Sequence, residues 1–232
     1  MTNPVNPLFA PNYSDQLGIF DPDMFAEDVV IIGCGGIGAT LIPVLVTLGI
    51  KRFVLYDPDK VETRNIASQL LYKPADLYRS KVEVCKEYIL AYGDSEVTVE
   101  THERLFTEKD HVNASLVISA VDSQQARRGI WAAIDKMRVK PQLLIDGRIG
   151  GLIANCLFVK PHDADWYTSD WLGDNVAALP CARRAIIYPS VGLAEMITNG
   201  IVQWAAGEEL PRRIYRDAET FRQQVIWEPS ED

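Results

Sequence analysis

The sequence predicts an α/β fold: a doubly wound, mainly parallel sheet with an antiparallel C-terminal extension. Three observations carry this prediction. Short apolar runs alternate with helix-forming segments as far as Ile145, a cluster of glycines separates the first run from the first helix, and glycines divide two further runs after Ile145. Alternation of this kind places successive strands parallel with helices crossing between them, whereas a short glycine turn joins antiparallel strands.

The parallel part contains five predicted strands. Val29–Ile32 is apolar throughout, as expected for a strand that is buried on both faces. The others are Arg52–Tyr56, Glu96–Thr101, Leu116–Ala120 and Gln142–Ile145. Apolar side chains at helical spacing predict the helices between them, at Ile37–Leu48, Arg79–Tyr92 and Gln124–Met137. Ser123 stands where it can cap the last of these helices.

The pattern changes after Asp146. Glycines precede the apolar run Leu152–Val159 and predict a hairpin that leaves the parallel sheet. A polar, aromatic stretch then predicts a long loop over 161–180, and a loop of that length is usually functional. The rest of the chain predicts a helix at Ser190–Ala206 and strands at Arg212–Tyr215 and Gln224–Trp227. Residues 1–27 are predicted to form an N-terminal arm, and residues 1–232 a single domain.

Composition excludes several classes of function. The net charge is −9, from 23 basic and 32 acidic side chains, so the chain lacks the electrostatic footprint of a nucleic-acid or membrane-surface protein. The four cysteines and three histidines are scattered, which predicts neither a zinc site nor a disulfide framework and favours a cytoplasmic location. The apolar run 29–50 is interrupted by glycines and Pro43, so we do not expect it to span a membrane.

The glycine cluster has the pattern of a phosphate-binding turn. The letters G-C-G-G-I-G satisfy G-x-G-x-x-G between a strand and a helix, with glycines at Gly33, Gly35, Gly36 and Gly38. Asp57 follows 19 residues after Gly38, at the end of the second strand, where a carboxylate normally binds ribose hydroxyls. Nicotinamide-dependent enzymes with a Rossmann-like sheet share both features, so this pattern alone leaves the nucleotide open.

The segment that begins at Asp57 is more specific. Its letters D-P-D-K-V-E-T-R-N-I-A-S-Q resemble the D-x-D-x-V-x-x-x-N-L-x-R-Q signature of the ubiquitin-activating-enzyme-like superfamily, the ThiF/MoeB adenylyltransferases. Asp57, Asp59, Val61, Asn65 and Gln69 match in place, and the likeness covers most of the chain, from about residue 29 to residue 207.

Three later positions extend the resemblance. Lys81 stands where the family has its ATP-contacting lysine. The letters V-D-S-Q-Q-A-R match a D-x-x-x-x-R pattern and give Asp122 and Arg127, and L-P-C-A-R-R gives Cys181 in the place of the family's loop cysteine.

The resemblance implies an activity and roles for the matched residues. Members of the family bind ATP with Mg²⁺ and adenylate the C-terminal carboxylate of a small ubiquitin-like or sulfur-carrier protein, commonly as homodimers. By this resemblance Lys81 contacts the phosphates, Asp122 holds Mg²⁺, Asn65 bonds phosphate or ribose and Asp57 binds the ribose. Asp59 and Gln69 are expected to contact the nucleotide as well. Cys181 would form a thioester or a persulfide-linked intermediate, as in some relatives, whereas others adenylate without one. The aromatic side chains of the 161–180 loop lead to a separate hypothesis, that this loop closes over the carrier's tail; the alternative is that they pack back on the sheet.

The sequence also departs from the family pattern. Ser68 replaces the arginine of N-L-x-R-Q, and N-Y-S-D-Q at 12–16 lacks both arginines of the family's R-Y-S-R-Q arm. We hypothesise that Arg64 supplies the missing charge. The departures keep open a nucleotide-binding scaffold without catalysis, and the glycine turn with Asp57 keeps open a nicotinamide-dependent oxidoreductase.

Overall fold

The computed structural model describes residues 11–107, 109–110, 114–173 and 186–227. In this part of the chain eight strands form one sheet, in the order β3-β2-β1-β4-β5-β6-β7-β8. The strands are β1 (Val29–Ile32), β2 (Arg52–Tyr56), β3 (Thr98–His102), β4 (Leu116–Ser119), β5 (Leu143–Gly150), β6 (Ile153–Val159), β7 (Arg213–Asp217) and β8 (Arg222–Ile226). The helices are α1 (Gly38–Leu48), α2 (Thr63–Ile66), α3 (Lys81–Tyr92), α4 (Gln124–Asp135), α5 (Ala164–Trp171) and α6 (Ile187–Ala205), with short 3₁₀ turns at Pro74–Asp76 and Pro161–Asp163.

The sheet is parallel from β3 to β5 and antiparallel from β5 to β8. This confirms the predicted fold class. β1 pairs with both β2 and β4, so Ile32 lies between Tyr56 and Ser119. The chain therefore changes direction across the sheet at β1, and the loops after these three strands lie side by side at the carboxyl edge of the sheet. Ligands of open α/β sheets bind at such a switch point.

Apolar side chains cover both faces of the sheet. On one face β1 and β2 pack against α1, α3 and α6, with Ile31, Leu41 and Ile197 among the fully buried side chains. On the other face, Val117 and Leu144 pack with α4 and α5. Within the described residues no helix is both long and apolar enough to cross a membrane.

The prediction of a long loop over 161–180 is wrong for residues 161–171. Residues 161–171 form a 3₁₀ turn and helix α5, and residues 174–180 lie outside the described part of the chain. The helix forms because tertiary contacts hold both its start and one face. Asp163 is buried and pairs with Arg212 at 2.9 Å, and the buried Tyr167 ring meets Trp131 of α4 edge-on at a centroid distance of 5.0 Å.

The hairpin prediction is half right. β5 and β6 do form a hairpin, but β5 runs on to Gly150 and the pair stays in the same sheet as the parallel strands. Gly147 permits this continuation under α6, since a Cβ there would lie 3.3 Å from the side chains of Leu193 and Ile197. The described part of the predicted arm packs on the domain, with Gln16 Nε2 donating to the Leu48 carbonyl at 2.8 Å.

Candidate functional site

The glycine turn after β1 is held by the backbone around it. Gly33 has φ +102°, and a Cβ there would lie 2.7 Å from the Ala120 carbonyl oxygen at the end of β4. A Cβ on Gly38, the first residue of α1, would lie 2.0 Å from the Gly33 carbonyl oxygen. These two glycines are therefore required for the turn itself to close.

The middle of the turn is open. A Cβ added to Gly35 would meet nothing within 4 Å, and one on Gly36 would be 3.7 Å from Ser190 Oγ, an ordinary contact. The fold does not need glycine at these two positions. A surface without side chains at the N-terminus of a helix suits a phosphate group, which approaches the backbone N–H groups closely. The turn therefore fits the nucleotide that the sequence predicts.

Asp57, directly after β2, joins the glycine turn to the next loop. Its Oδ2 accepts the Cys34 N–H at 2.7 Å, and its Oδ1 accepts the Asp59 N–H at 2.8 Å. Burial raises the pKa of this carboxyl, against the opposing effects of Lys81 and of the two N–H donors. Each carboxylate oxygen has a second acceptor site, so these bonds leave Asp57 able to accept from ribose hydroxyls as well.

Lys81 begins α3 and is almost fully buried, with 5% of its surface exposed. Its Nζ is 2.8 Å from Asp59 Oδ2, and its N–H donates to the Asp59 carbonyl at 3.1 Å. Asp59 thus fixes both the backbone and the ammonium group of Lys81. The structure therefore places a buried cation beside the loop that begins at Asp57.

The segment around α2 holds Asn65, Arg64 and Gln69. Asn65 is buried, and its Oδ1 accepts the Glu62 N–H at 2.7 Å, a bond that closes the start of the helix. Arg64 is exposed and its Nε lies 2.6 Å from Glu62 Oε2. Gln69 Oε1 is buried and has no hydrogen-bond partner among the residues that the structure describes. The segment therefore offers one unpaired buried acceptor and one exposed cation.

Asp122 lies just past β4, on the other side of the glycine turn from Asp57, and it is exposed. Ser123 caps α4 as predicted, its Oγ accepting the Ala126 N–H at 3.2 Å. In the part of the chain that the structure describes, no cluster of three or more His, Cys, Asp or Glu side chains could hold a metal ion. A single carboxylate is nevertheless enough for Mg²⁺ that is also bound by substrate phosphates.

Sequence reasoning missed two buried residues that support the site. Tyr72 donates its hydroxyl to the Cys34 carbonyl at 2.6 Å, and burial raises its pKa so that it stays a donor. Asp146, fully buried on β5, accepts from Arg127 of α4 at 3.0 Å and from Tyr167 of α5 at 2.8 Å. A carboxylate that directly follows the apolar run Leu143–Ile145 was the available signal for Asp146.

The cysteines in the described part of the chain are not placed for catalysis. Cys34, Cys85 and Cys156 are free and buried. A hydrogen bond with Cys85, and then burial, raises the pKa of the Cys34 thiol, which keeps it protonated. Cys181, the candidate nucleophile, lies outside the described residues.

A family model supports the resemblance seen in the sequence. The model described as "ThiF family" matches residues 21–224. The chain is also 25% identical over 213 residues to a NEDD8-activating enzyme E1 catalytic subunit of Schizosaccharomyces pombe, which covers 88% of this chain and 46% of that protein. It is 32% identical over 195 residues to ubiquitin-like modifier-activating enzyme 5 of Drosophila virilis, covering 75% of this chain and 48% of the relative. The chain therefore spans about half the length of the curated relatives it matches.

Solved structures share the fold. E. coli MccB superposes with a TM-score of 0.69 at 19% identity, covering 88% of this chain and 63% of that one. PaaA superposes with a TM-score of 0.66 at 21% identity, covering 87% and 64% of the two chains. MccB structures are described with ATP and with the molecule MccA. At this identity the likeness concerns the fold alone.

Proposed function

The chain belongs to the ThiF family, and from this premise we propose that it is an ATP-dependent adenylyltransferase. Its substrate would be the C-terminal carboxylate of a ubiquitin-like or sulfur-carrier protein, and a short peptide carboxylate is the close variant. One observation carries the proposal: three neighbouring strand ends bring an open glycine turn, Asp57 and Asp122 to the same edge of the sheet, and the buried Lys81 lies beside the loop that begins at Asp57.

The chemistry needs charge neutralisation more than proton transfer. A carboxylate must approach the α-phosphate of ATP although both groups are negative, so positive charge and fixed geometry lower the barrier. Lys81 would supply a cation to the phosphates, in competition with its present partner Asp59. Mg²⁺, when bound, supplies further positive charge, and Asp122 would hold it together with the phosphates. The carboxylate attacks the α-phosphorus and pyrophosphate leaves.

The remaining residues would bind and orient the nucleotide. Asp57 would accept from the ribose, and Gly35 and Gly36 would present backbone N–H groups to the phosphates. Asn65 and Gln69 would bond the ribose or phosphate with their amide groups. Each amide has an NH₂ group that can donate, and Gln69 Oε1, which is unpaired, can also accept a hydrogen bond.

Arg64 is our proposal for the cation that Ser68 does not provide. It lies on α2, its side chain is 81% exposed, and its partner Glu62 is on the surface, so turning toward a phosphate requires breaking only an exposed ion pair. Arg64→Ala should weaken Mg·ATP binding without changing the unfolding temperature. Equal Mg·ATP affinity in the variant would contradict this role.

The names of the relatives support the class of substrate, since both are called activating enzymes and one is named for NEDD8. We further propose transfer of the activated carrier to Cys181, a homodimer, a cytoplasmic location and no zinc requirement. The homodimer follows from the resemblance, while the cytoplasmic location and the lack of zinc follow from the scattered cysteines and histidines.

Pyrophosphate exchange tests the activity. The protein is incubated with Mg·ATP, labelled pyrophosphate and a ubiquitin-like protein that ends in a free Gly-Gly carboxylate, and label entering ATP is counted. We expect exchange with the wild type and with Lys86→Met, a matched control on the same helix. Lys81→Met should exchange at least about a hundredfold less, because the phosphates lose their cation; such a loss equals about 2.7 kcal/mol of transition-state stabilisation. Exchange with a short peptide instead would favour the close variant. Mg·ATP binding with no exchange for any carboxylate would indicate the scaffold.

A further inference from the structure

A cluster of buried polar side chains lies beside the turn that carries Asp122. Its centre is Asp146, which is completely inaccessible to solvent. Arg127 Nε is 3.0 Å from one carboxylate oxygen and Arg148 Nε is 2.7 Å from the other. Tyr167 donates to that second oxygen at 2.8 Å. The cluster therefore ties α4, β5 and α5 together at the carboxyl end of the sheet.

Arg127 connects this cluster to the backbone of the turn. While its Nε donates to Asp146, its Nη2 donates to the carbonyl of Val121 and, at 3.1 Å, to the carbonyl of Gly147. Val121 is the residue directly before Asp122. One planar guanidinium thus spans three acceptors, a geometry that a lysine ammonium on a flexible stem does not reproduce.

The turn is also fixed from its other side. Ser123, directly after Asp122, accepts the Ala126 N–H with its hydroxyl and the Arg127 N–H with its carbonyl, at 3.2 Å each. The residues on both sides of Asp122 are therefore held by hydrogen bonds, while Asp122 itself remains exposed. The side chain is free to meet a ligand, but its backbone is not free to move.

Stability alone is a weak reason for this arrangement. Burying a charged pair costs desolvation energy, and its net contribution to folding is often close to zero. Arg127 and Asp146 are 6% and 0% exposed, so both charges have been removed from water. The pair does, however, fix the backbone, because Arg127 also donates to two carbonyls. An apolar replacement of the pair would leave those carbonyls unbound.

We propose that Arg127 is a positioning residue: oriented by Asp146, it fixes the Val121 carbonyl and so sets where the Asp122 carboxylate stands for Mg·ATP. The inference goes beyond the proposed function in naming what holds the metal-binding carboxylate in place. It rests on that function only for the identity of the ligand. The position of the turn is a property of the free protein.

The first test uses the protein without ligand. Arg127→Lys is compared with Arg128→Lys, a matched control on the same helix whose Nε donates to the Leu172 carbonyl at 2.8 Å. Hydrogen exchange is followed at the amides of Ala126 and Arg127, which donate to Ser123. We expect Arg127→Lys to speed exchange at these two amides about tenfold, as loss of one charged hydrogen bond implies, and Arg128→Lys to leave them unchanged. Equal exchange in the two variants would overturn the positioning role.

The second test asks whether Arg127 acts through Asp122. The Mg²⁺ concentration that half-saturates ATP binding is measured for Arg127→Lys, Asp122→Asn and the double variant. We expect Arg127→Lys alone to raise this concentration about tenfold, and to change it less than about twofold when Asp122 is already replaced. Independent effects that multiply in the double variant would contradict the proposal, because a general loss of packing does not depend on Asp122.

The two tests separate the proposals. The exchange measurement needs no nucleotide, so it decides the positioning role even where the wild type fails to bind Mg·ATP. Such a failure would overturn the proposed function alone.

Discussion

Substitutions at Gly38 and Gly35 should separate folding from ligand binding within one turn. Gly38→Ala places a Cβ 2.0 Å from the Gly33 carbonyl oxygen, and neither backbone group can rotate away. Overpacking of this kind costs about 1–3 kcal/mol, and the backbone clash places Gly38 at the upper end. For a domain of this size each kcal/mol lowers the unfolding temperature by about 2–4 °C, so we expect a fall of about 6–12 °C.

Gly35→Ala should behave in the opposite way. No atom lies within 4 Å of its added Cβ, and its φ is not positive. The free energy of unfolding should therefore stay constant, or rise by about 0.4–1 kcal/mol because alanine lowers the conformational entropy of the unfolded chain. The methyl group fills the open surface over the turn, and we expect Mg·ATP to bind at least about tenfold more weakly, or about 1.4 kcal/mol.

Scanning calorimetry and titration calorimetry with Mg·ATP measure the two effects on the same samples. Unchanged Mg·ATP affinity in Gly35→Ala would refute the assignment of the open turn to phosphate. An unchanged unfolding temperature in Gly38→Ala would refute our account of how the turn closes.

Two further predictions concern stability. Gly200→Ala places a Cβ 2.0 Å from Cε1 of Phe158 and should lower the free energy of unfolding by about 2–3 kcal/mol. Gly129→Ala, in open space within α4, should raise it by about 0.5–1 kcal/mol. Urea unfolding measures both, and equal effects would contradict the packing described. The Arg104 guanidinium holds the pKa of Asp110 at about 2, below the ordinary value, so this carboxyl stabilises the fold above about pH 4 and loses that effect as the pH falls toward 2. Asp110→Asn should therefore lower the free energy of unfolding by about 1–2 kcal/mol at pH 7, a value reduced because Arg104 is half exposed. The difference in unfolding free energy from wild type should shrink between about pH 4 and pH 2.5, and a constant difference would contradict the pKa argument.

Local patterns in the sequence were enough for most of the fold. Strand β1 is a continuous apolar run and β4 is apolar up to its last residue, while the glycine turn and the Ser123 cap depend on residues that are close together in the chain. Helix α5 could not be predicted in this way. Its start depends on Arg212, which is distant in the chain, and its buried face depends on Trp131. A segment whose helicity comes from such contacts looks like a polar loop when its own residues are considered alone.

The site shows the same division. Asp57 and Lys81 stand in a recognisable motif, so the sequence predicted both residues. Tyr72 and Asp146 support the site through contacts with residues 38 and 19 positions away. The partner of Lys81 was also hidden, because Asp59 meets it only after the chain has turned back to begin α3. Motifs thus identify residues that face a ligand more readily than the residues that hold them.

The central claim is that the glycine turn and the neighbouring strand ends bind Mg·ATP. Titration calorimetry with Mg·ATP, with ATP in excess EDTA and with NAD⁺ tests it most directly on the wild type and on Asp122→Asn. We expect binding of Mg·ATP that weakens at least about tenfold in Asp122→Asn and in EDTA, and no binding of NAD⁺. Binding of NAD⁺ in preference to Mg·ATP, or Mg·ATP binding that is the same with and without Asp122, would contradict the account.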